Sequence, residues 1–119
     1  MRVAYVHDAV VRMADDADLA GPGGAVTLAL CGSFDHPPPC PLAPHATRSD
    51  RQDDEVAVRV LFAAESADEA VVRERIDAAL AAGSCDGPDG TRTSWTFASS
   101  APGAVSEDER AHAERLMRS

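Results

Sequence analysis

Four residues with metal-binding side chains lie close together in one short stretch of the chain. Cys31, His36, Cys40 and His45 follow the spacing C-x4-H-x3-C-x4-H. Two thiolates and two imidazoles are the ligand set of a tetrahedral zinc site, and thiolates also suit Cu(I). The prolines of this stretch stiffen the chain, so less entropy is lost when a metal orders it. The sequence therefore predicts a zinc or copper site formed by these four residues.

Other uses of the same residues stay open, because the spacing lacks the C-x2-C knuckle of common zinc fingers. Asp35 could supply a carboxylate oxygen in place of one ligand. Cys31 and Cys40 could form a disulfide, or Cys40 could be a nucleophile with His36 or His45 as its base. The prolines on both sides of Cys40 remove backbone N–H donors, which argues against an oxyanion hole. A stretch that only packs, without metal, is the remaining alternative.

The charge of the chain limits its partners. Twenty acidic residues against eleven basic ones give a net charge of -9. Nucleic acid and anionic membrane surfaces are repelled by such a protein, so neither is an expected partner. A metal cation, a neutral small molecule or a basic protein fits better. Arg supplies every basic residue, and Lys and Asn are missing, which indicates a GC-rich bacterial genome.

Length and cysteine content predict one domain in a reducing compartment. The chain has 119 residues, of which 45% are hydrophobic, and we expect residues 1–119 to form a single domain. No apolar run follows Arg2 that could act as a secretory leader, and none is long enough to span a bilayer. We therefore expect a cytoplasmic protein, in which the three cysteines stay reduced.

The elements that must position the four candidate ligands are mostly strands. Apolar alternation predicts strands over Arg2–His7 or beyond, Ala25–Cys31, Val56–Ala64 and Thr91–Ser99. Residues 8–18 either continue the first strand or form a short helix. The sequence Gly-Pro-Gly-Gly at positions 21–24 predicts a firm break. Residues 32–54 are first proline-rich and then polar, which predicts one long loop.

Capping signals predict two helices in the second half of the chain. Ser66 and Ser106 are each followed three residues later by Glu, which is the pattern of a capping box. The first helix carries a regular apolar stripe. The second runs through Met117 with a weak stripe, so we expect it to pack at an edge or against a second subunit, as in a homodimer.

Together these elements predict an α+β fold. It consists of a small antiparallel sheet of about four strands with helices on one face. If a helix forms before Gly21, the order is β-α-β-β-α-β, which is ferredoxin-like, with an additional C-terminal helix.

Two further functions fit this fold. A small-molecule-binding protein or enzyme would form its pocket from residues 34–47 and a face of the sheet, and would use His7, His36, Cys40 or His45. A non-catalytic interaction module would use its acidic surface and last helix.

Overall fold

The computed structural model describes residues 1–31, 43–87 and 89–118. Within those ranges the chain forms a four-stranded antiparallel sheet, a two-stranded sheet and three α-helices, which confirms the predicted α+β class. In chain order the elements are β1 Arg2–Arg12, α1 Ala20–Cys31, β2 His45–Gln52, β3 Glu55–Glu65, α2 Glu69–Ala81, β4 Ser84–Asp86, β5 Arg92–Ser94, β6 Thr96–Gly103 and α3 Arg110–Met117.

The four-stranded sheet has the strand order β2-β3-β1-β6, and each neighbouring pair is antiparallel. Helices α1 and α2 cover one face of this sheet, called the inner face below, and α3 covers the other, called the outer face. The two central strands, β1 and β3, are those with the clearest apolar alternation. Residues 8–12 continue β1, so the strand alternative for this segment is the correct one up to Arg12.

The inner face holds the main core. Val56, Val58, Val60 and Phe62 of β3 are fully or almost fully buried, as their alternation predicts. They pack against α2, whose buried stripe is Val72, Ile76 and Leu80. Burying one side chain of this kind contributes about 1.5–3 kcal/mol to folding. This layer fixes α2 on the sheet.

The outer face has a smaller core under α3. Val6 and Leu61, which are opposite each other in β1 and β3, are buried against Ala113. The C-terminal helix therefore packs on its own sheet, where the sequence predicts packing at an edge or on a second subunit. Ser106 and Glu109 form the predicted capping box: the Ser106 N–H and hydroxyl donate to Glu109 Oε1 at 3.0 and 3.1 Å.

The predicted strand Ala25–Cys31 is wrong, because these residues belong to helix α1. The predicted break at residues 21–24 is wrong as well, since the helix begins before it, at Ala20. Asp18 caps this helix by accepting a hydrogen bond from the Ala20 N–H at 2.9 Å. Pro22 lies in the first turn, where a missing N–H costs little. Among the described residues, no helix is both long and apolar enough to cross a membrane.

Two glycines let α1 approach its neighbours closely. A methyl group on Gly21 would lie 2.6 Å from Thr93 Cγ2, and one on Gly23 would lie 2.6 Å from Thr47 Oγ1. Both distances are well inside van der Waals contact. The glycines from which a break was predicted thus allow α1 to lie against β5 and β2.

The predicted loop over residues 32–54 is wrong for its second half, where His45–Gln52 forms β2. This strand lies at the edge of the sheet and carries charged side chains, as edge strands commonly do. Arg51 ties it to the chain after β1 by donating to the carbonyl oxygens of Met13 and Ala14. Its pairing with β3 places His45 opposite Phe62.

The single strand predicted over Thr91–Ser99 is two strands in two different sheets. β5 pairs with β4, and β6 pairs with β1. Trp95 lies between them and is buried, with its Nε1–H donated to the Leu80 carbonyl at 2.8 Å. The indole therefore joins the end of α2 to the point where the chain changes sheets.

Candidate functional site

Only one of the four predicted metal ligands has a described side chain. Cys31 is the last residue of α1, but its side chain lies outside the described part of the structure, as do His36 and Cys40 entirely. His45 is the first residue of β2 and is described in full. Among the side chains described, no group of three or more His, Cys, Asp or Glu residues could hold a metal ion.

The His45 ring is held by hydrogen bonds on both nitrogens. Nδ1 lies 3.1 Å from the Ala43 carbonyl oxygen. A carbonyl can only accept, so Nδ1 must carry the proton, and in the neutral ring Nε2 keeps its lone pair. The Thr27 hydroxyl donates to Nε2 at 3.1 Å. The ring is therefore oriented with its basic nitrogen toward α1.

A cleft of about 480 Å³ runs beside this contact, between α1 and β2. It is lined by Leu19, Ala20, Gly23, Gly24, Thr27, Thr47 and Ser49. The pocket predicted for the small-molecule alternative would include residues 34–47, most of which lie outside the described ranges. Thr27 of α1 and Thr47 of β2 both line the cleft.

His7 is the other candidate catalytic residue, and the structure uses both of its nitrogens for contacts with α2. His7 is buried, with only 3% of its surface exposed to solvent. Arg73 Nη1 lies 3.0 Å from Nδ1, and because a guanidinium only donates, Nδ1 must accept. Nε2 then carries the proton and donates to Asp77 Oδ1 at 2.8 Å. Both ring nitrogens of His7 are therefore bonded to side chains of α2.

The same arginine ties the network to the aromatic part of the inner core. Arg73 donates to the Val6 carbonyl at 2.8 Å and to Glu69 at 2.9 Å. Its guanidinium carbon also lies 5.4 Å from the Phe62 ring centroid and 5.7 Å from that of Tyr5. These are cation–π distances. The arrangement around His7 thus anchors α2 on β1.

A second charged network lies on the outer face, around Arg59 of β3. Its guanidinium makes five hydrogen bonds, which matches its five N–H groups. Two go to the Asp8 carboxylate, two to the Glu109 carboxylate and one to the Ala104 carbonyl. Arg59 is therefore saturated by the chain itself and serves to hold the start of α3 on the sheet.

Hydrogen bonds from Arg59, and then from Ser106, lower the pKa of Glu109 to about 2, against an ordinary value of 4.5. A carboxyl group whose pKa is lower in the folded than in the unfolded state stabilises the protein at pH values above the unfolded-state pKa. This contribution is lost as the pH falls toward the folded-state pKa. We expect the Glu109 contribution, about 3 kcal/mol, to disappear between pH 4.5 and 2. Urea denaturation at several pH values measures it.

The matched variant for this pH dependence is Glu109→Gln, which has no titrating group at that position. The stability difference between the native protein and the variant should shrink as the pH falls from 4.5 to 2. A difference that stays constant across this range would contradict the assignment.

Cys85 is a free thiol that the sequence leaves without a role. It is buried in β4, and its Sγ donates to the Asp86 carbonyl at 3.5 Å. Burial raises the pKa of the Cys85 thiol, and the Asp86 charge adds to this shift. A thiol that stays protonated is a poor nucleophile, so Cys85 is a packing residue.

No family model, curated protein or solved structure matches the chain. The functional argument therefore rests on the residues themselves. Sequence reasoning missed Thr27 as a partner of His45 and Arg73 as a partner of His7. The i, i+4 spacing of Thr27 and Cys31 could have indicated a common helix face, but only if α1 had been predicted as a helix.

Proposed function

We propose that the chain binds a zinc or copper ion through Cys31, His36, Cys40 and His45. The observation that carries this proposal is the orientation of the His45 ring. Metal-binding histidines commonly donate one ring N–H to a carbonyl or carboxylate, which fixes the tautomer and leaves the other nitrogen as ligand. The Nδ1–H of His45 donates to the Ala43 carbonyl in this way, so Nε2 is the nitrogen that would bind the metal.

The position of α1 supports the same proposal. Nε2 of His45 faces Thr27, and Cys31 lies four residues later in the same helix. Four helical residues correspond to about 6 Å along the axis. The backbone of the first proposed ligand is therefore near the imidazole of the last. The net charge of -9 also favours a cation over an anionic ligand.

Measuring the metal content of the protein tests the proposal directly. The untagged native protein, after loading with zinc or copper, should contain near-stoichiometric metal by elemental analysis. Cys40→Ser and His45→Ala should each lower that content, and they should lower the melting temperature of the metal-loaded form, because binding energy adds to folding energy. Circular dichroism checks that each variant folds.

His112→Ala is the matched control, since His112 lies on α3 on the other side of the sheet. Its metal content should equal that of the native protein. Substoichiometric zinc and copper after loading, or equal metal content in His45→Ala and His112→Ala, would overturn the proposal.

We also propose the finer fold description, a ferredoxin-like topology, and a cytoplasmic location. Without the β4–β5 hairpin and α3, the order of elements is β-α-β-β-α-β, and the antiparallel order β2-β3-β1-β6 supports the description. Such a fold licenses no activity by itself. A reducing compartment would keep the two cysteine ligands available as thiolates.

A further inference from the structure

We infer that the outer edge of β2 pairs with the β2 edge of a second copy of this chain, in one register centred on Ser49. Residues 46–52 of each copy form the contact, and the two sheets join into one antiparallel sheet around a two-fold axis. None of the four proposed metal ligands takes part. The second copy therefore binds at β2 and not at α3, where the sequence favoured it.

The hydrogen bonds between β2 and β3 decide which backbone groups of β2 point away from the sheet. The Ala63 N–H donates to the Pro44 carbonyl at 3.0 Å, so these two residues form a hydrogen-bonded pair of the ladder. Such pairs alternate along antiparallel strands, so the even-numbered residues of β2 bond to β3 and the odd-numbered ones point outward. In the described part of the chain, no group takes the outward N–H and C=O of Thr47, Ser49 or Arg51. These groups can pair with a further strand.

The charges of β2 favour one symmetric register and oppose its nearest alternatives. A two-fold pairing must join outward-pointing residues to one another, so its centre is one of the residues 47–51. A centre at 48 sets Arg48 against its own copy, and a centre at 50 does the same for Asp50. A centre at Ser49 instead sets Arg48 of each copy directly opposite Asp50 of the other. These two residues then form a non-hydrogen-bonded pair, in which side chains lie closest.

Arg48 has little to balance its charge within its own chain. It lies directly opposite Arg59 of β3, where like charges repel each other. Arg59 is neutralised by two carboxylates, whereas the ion pair of Arg48 is with Asp50, at 3.6 Å, and these side chains are 67% and 70% exposed. A carboxylate from a second copy, on the side away from Arg59, supplies the missing partner.

The other edge of the sheet, on β6, is less suited to pairing. The same alternation of hydrogen bonds, carried through β3 and β1, turns Pro102 of β6 outward, and proline has no N–H to donate. A register shift opposite Val10 and Val11 also makes β6 irregular. The register of β2 is continuous from His45 to Gln52, and no proline lies in it.

Two charge reversals and their mixture test the pairing. Arg48→Asp makes both facing positions acidic and Asp50→Arg makes both basic, so each variant repels its own copy. In an equal mixture every acidic position faces a basic one. A small, polar interface of this kind is weak, so we expect native monomers at about 1 µM and dimers near 500 µM. Sedimentation equilibrium in EDTA measures the mass without association through metal.

Each single reversal should weaken association at least about tenfold, because two attractive charge pairs become repulsive. The mixture should associate like the native chain. Arg110→Asp is the matched control, since it makes the same change of net charge as Arg48→Asp at a side chain of α3 that is 70% exposed. Its association should equal that of the native chain.

A cysteine at the two-fold axis reports the register. Ser49→Cys places two facing thiols on residues with Cα atoms about 5.5 Å apart, which is within disulfide range. In Thr47→Cys the two thiols are offset by four residues, or about 13 Å along the strands, and should not join. Peptide mass spectrometry after oxidation identifies the linked residues.

The inference is supported by a native dimer that each reversal dissociates and the mixture restores, with a link at residue 49 and none at 47. A native chain that stays monomeric at the higher concentration overturns it and leaves the edge to a strand of another protein. A dimer that survives Arg48→Asp overturns it as well, and loss in Arg110→Asp would then place the second copy on α3. Metal content is measured separately, so none of these results decides the proposed metal site.

Discussion

Replacing Arg59 with methionine should lower the free energy of unfolding by about 3 kcal/mol. Methionine keeps most of the aliphatic stem but removes the cation shared by Asp8 and Glu109. The Glu109 side chain is only 15% exposed, so its charge would be left without its main partner. The Asp8 side chain is 44% exposed, so water can solvate its charge when Arg59 is removed. The expected loss of stability is therefore at the low end of the range for a broken buried ion pair. Urea denaturation followed by circular dichroism measures the change.

The matched control is Arg48→Met, on the neighbouring strand directly opposite Arg59. The Arg48 side chain is 67% exposed and has one ion-pair distance, 3.6 Å, to Asp50. An exposed pair of this kind contributes at most about 0.5 kcal/mol. Equal losses in the two variants would show that the outer-face network does not stabilise the fold.

Replacing Phe62 with alanine should cost about 4 kcal/mol. Phe62 is fully buried in β3, opposite Tyr5 on one side and His45 on the other. Its ring centroid lies 5.4 Å from that of Tyr5, and the Arg73 guanidinium lies over both rings. Truncation leaves a cavity at the centre of the inner face and removes one of the two rings beneath the cation. Chemical denaturation at neutral pH measures the loss.

Phe97→Ala provides the same substitution at the edge of the sheet. Phe97 lies in β6 and is only partly buried, so we expect a loss of about 2 kcal/mol. If Phe97→Ala costs as much as Phe62→Ala, the inner core is not centred on Phe62.

The two central strands, β3 and β1, were predicted well because the apolar alternation in each has the same physical cause. β3 alternates Val56, Val58, Val60 and Phe62 toward the inner core, and every one of these is buried. β1 has the same pattern from Tyr5 onward. The inward-facing residues of a strand must be apolar at every second position, so this pattern survives in a single sequence even where part of the other face is also buried.

Helix α1 could not be predicted from periodicity, because it has no polar face opposite an apolar one. Its residues are almost all small or apolar, so the seven residues Ala25–Cys31 alternate as a strand would. Gly21 and Gly23 lower helix propensity and argue for a break. Their actual role, close packing against Thr93 and Thr47, depends on strands far along the chain. The local signals that favoured a helix were Asp18 as the cap and Pro22 in the first turn.

The edge strand β2 was missed for the opposite reason. Its residues are charged or polar, because an edge strand needs few apolar contacts and benefits from charges that discourage further pairing. Its position follows from β3, with which it pairs from His45 to Gln52. The hydrogen bond between His45 and Thr27 therefore depends on both unpredicted elements, and sequence reasoning could propose His45 as a ligand but not its partner.

The position of Trp95 gives the chain a built-in optical probe of one half of its structure. It is the one tryptophan in the sequence, and its buried indole bonds the Leu80 carbonyl at the end of α2. The C-terminal helix lies on the opposite side of the sheet, away from the indole. Detachment of that helix alone should therefore leave the fluorescence emission at its buried-indole wavelength. A red shift should accompany only the separation of α2 from the sheet, so the two events have different spectroscopic signatures in the unmodified protein.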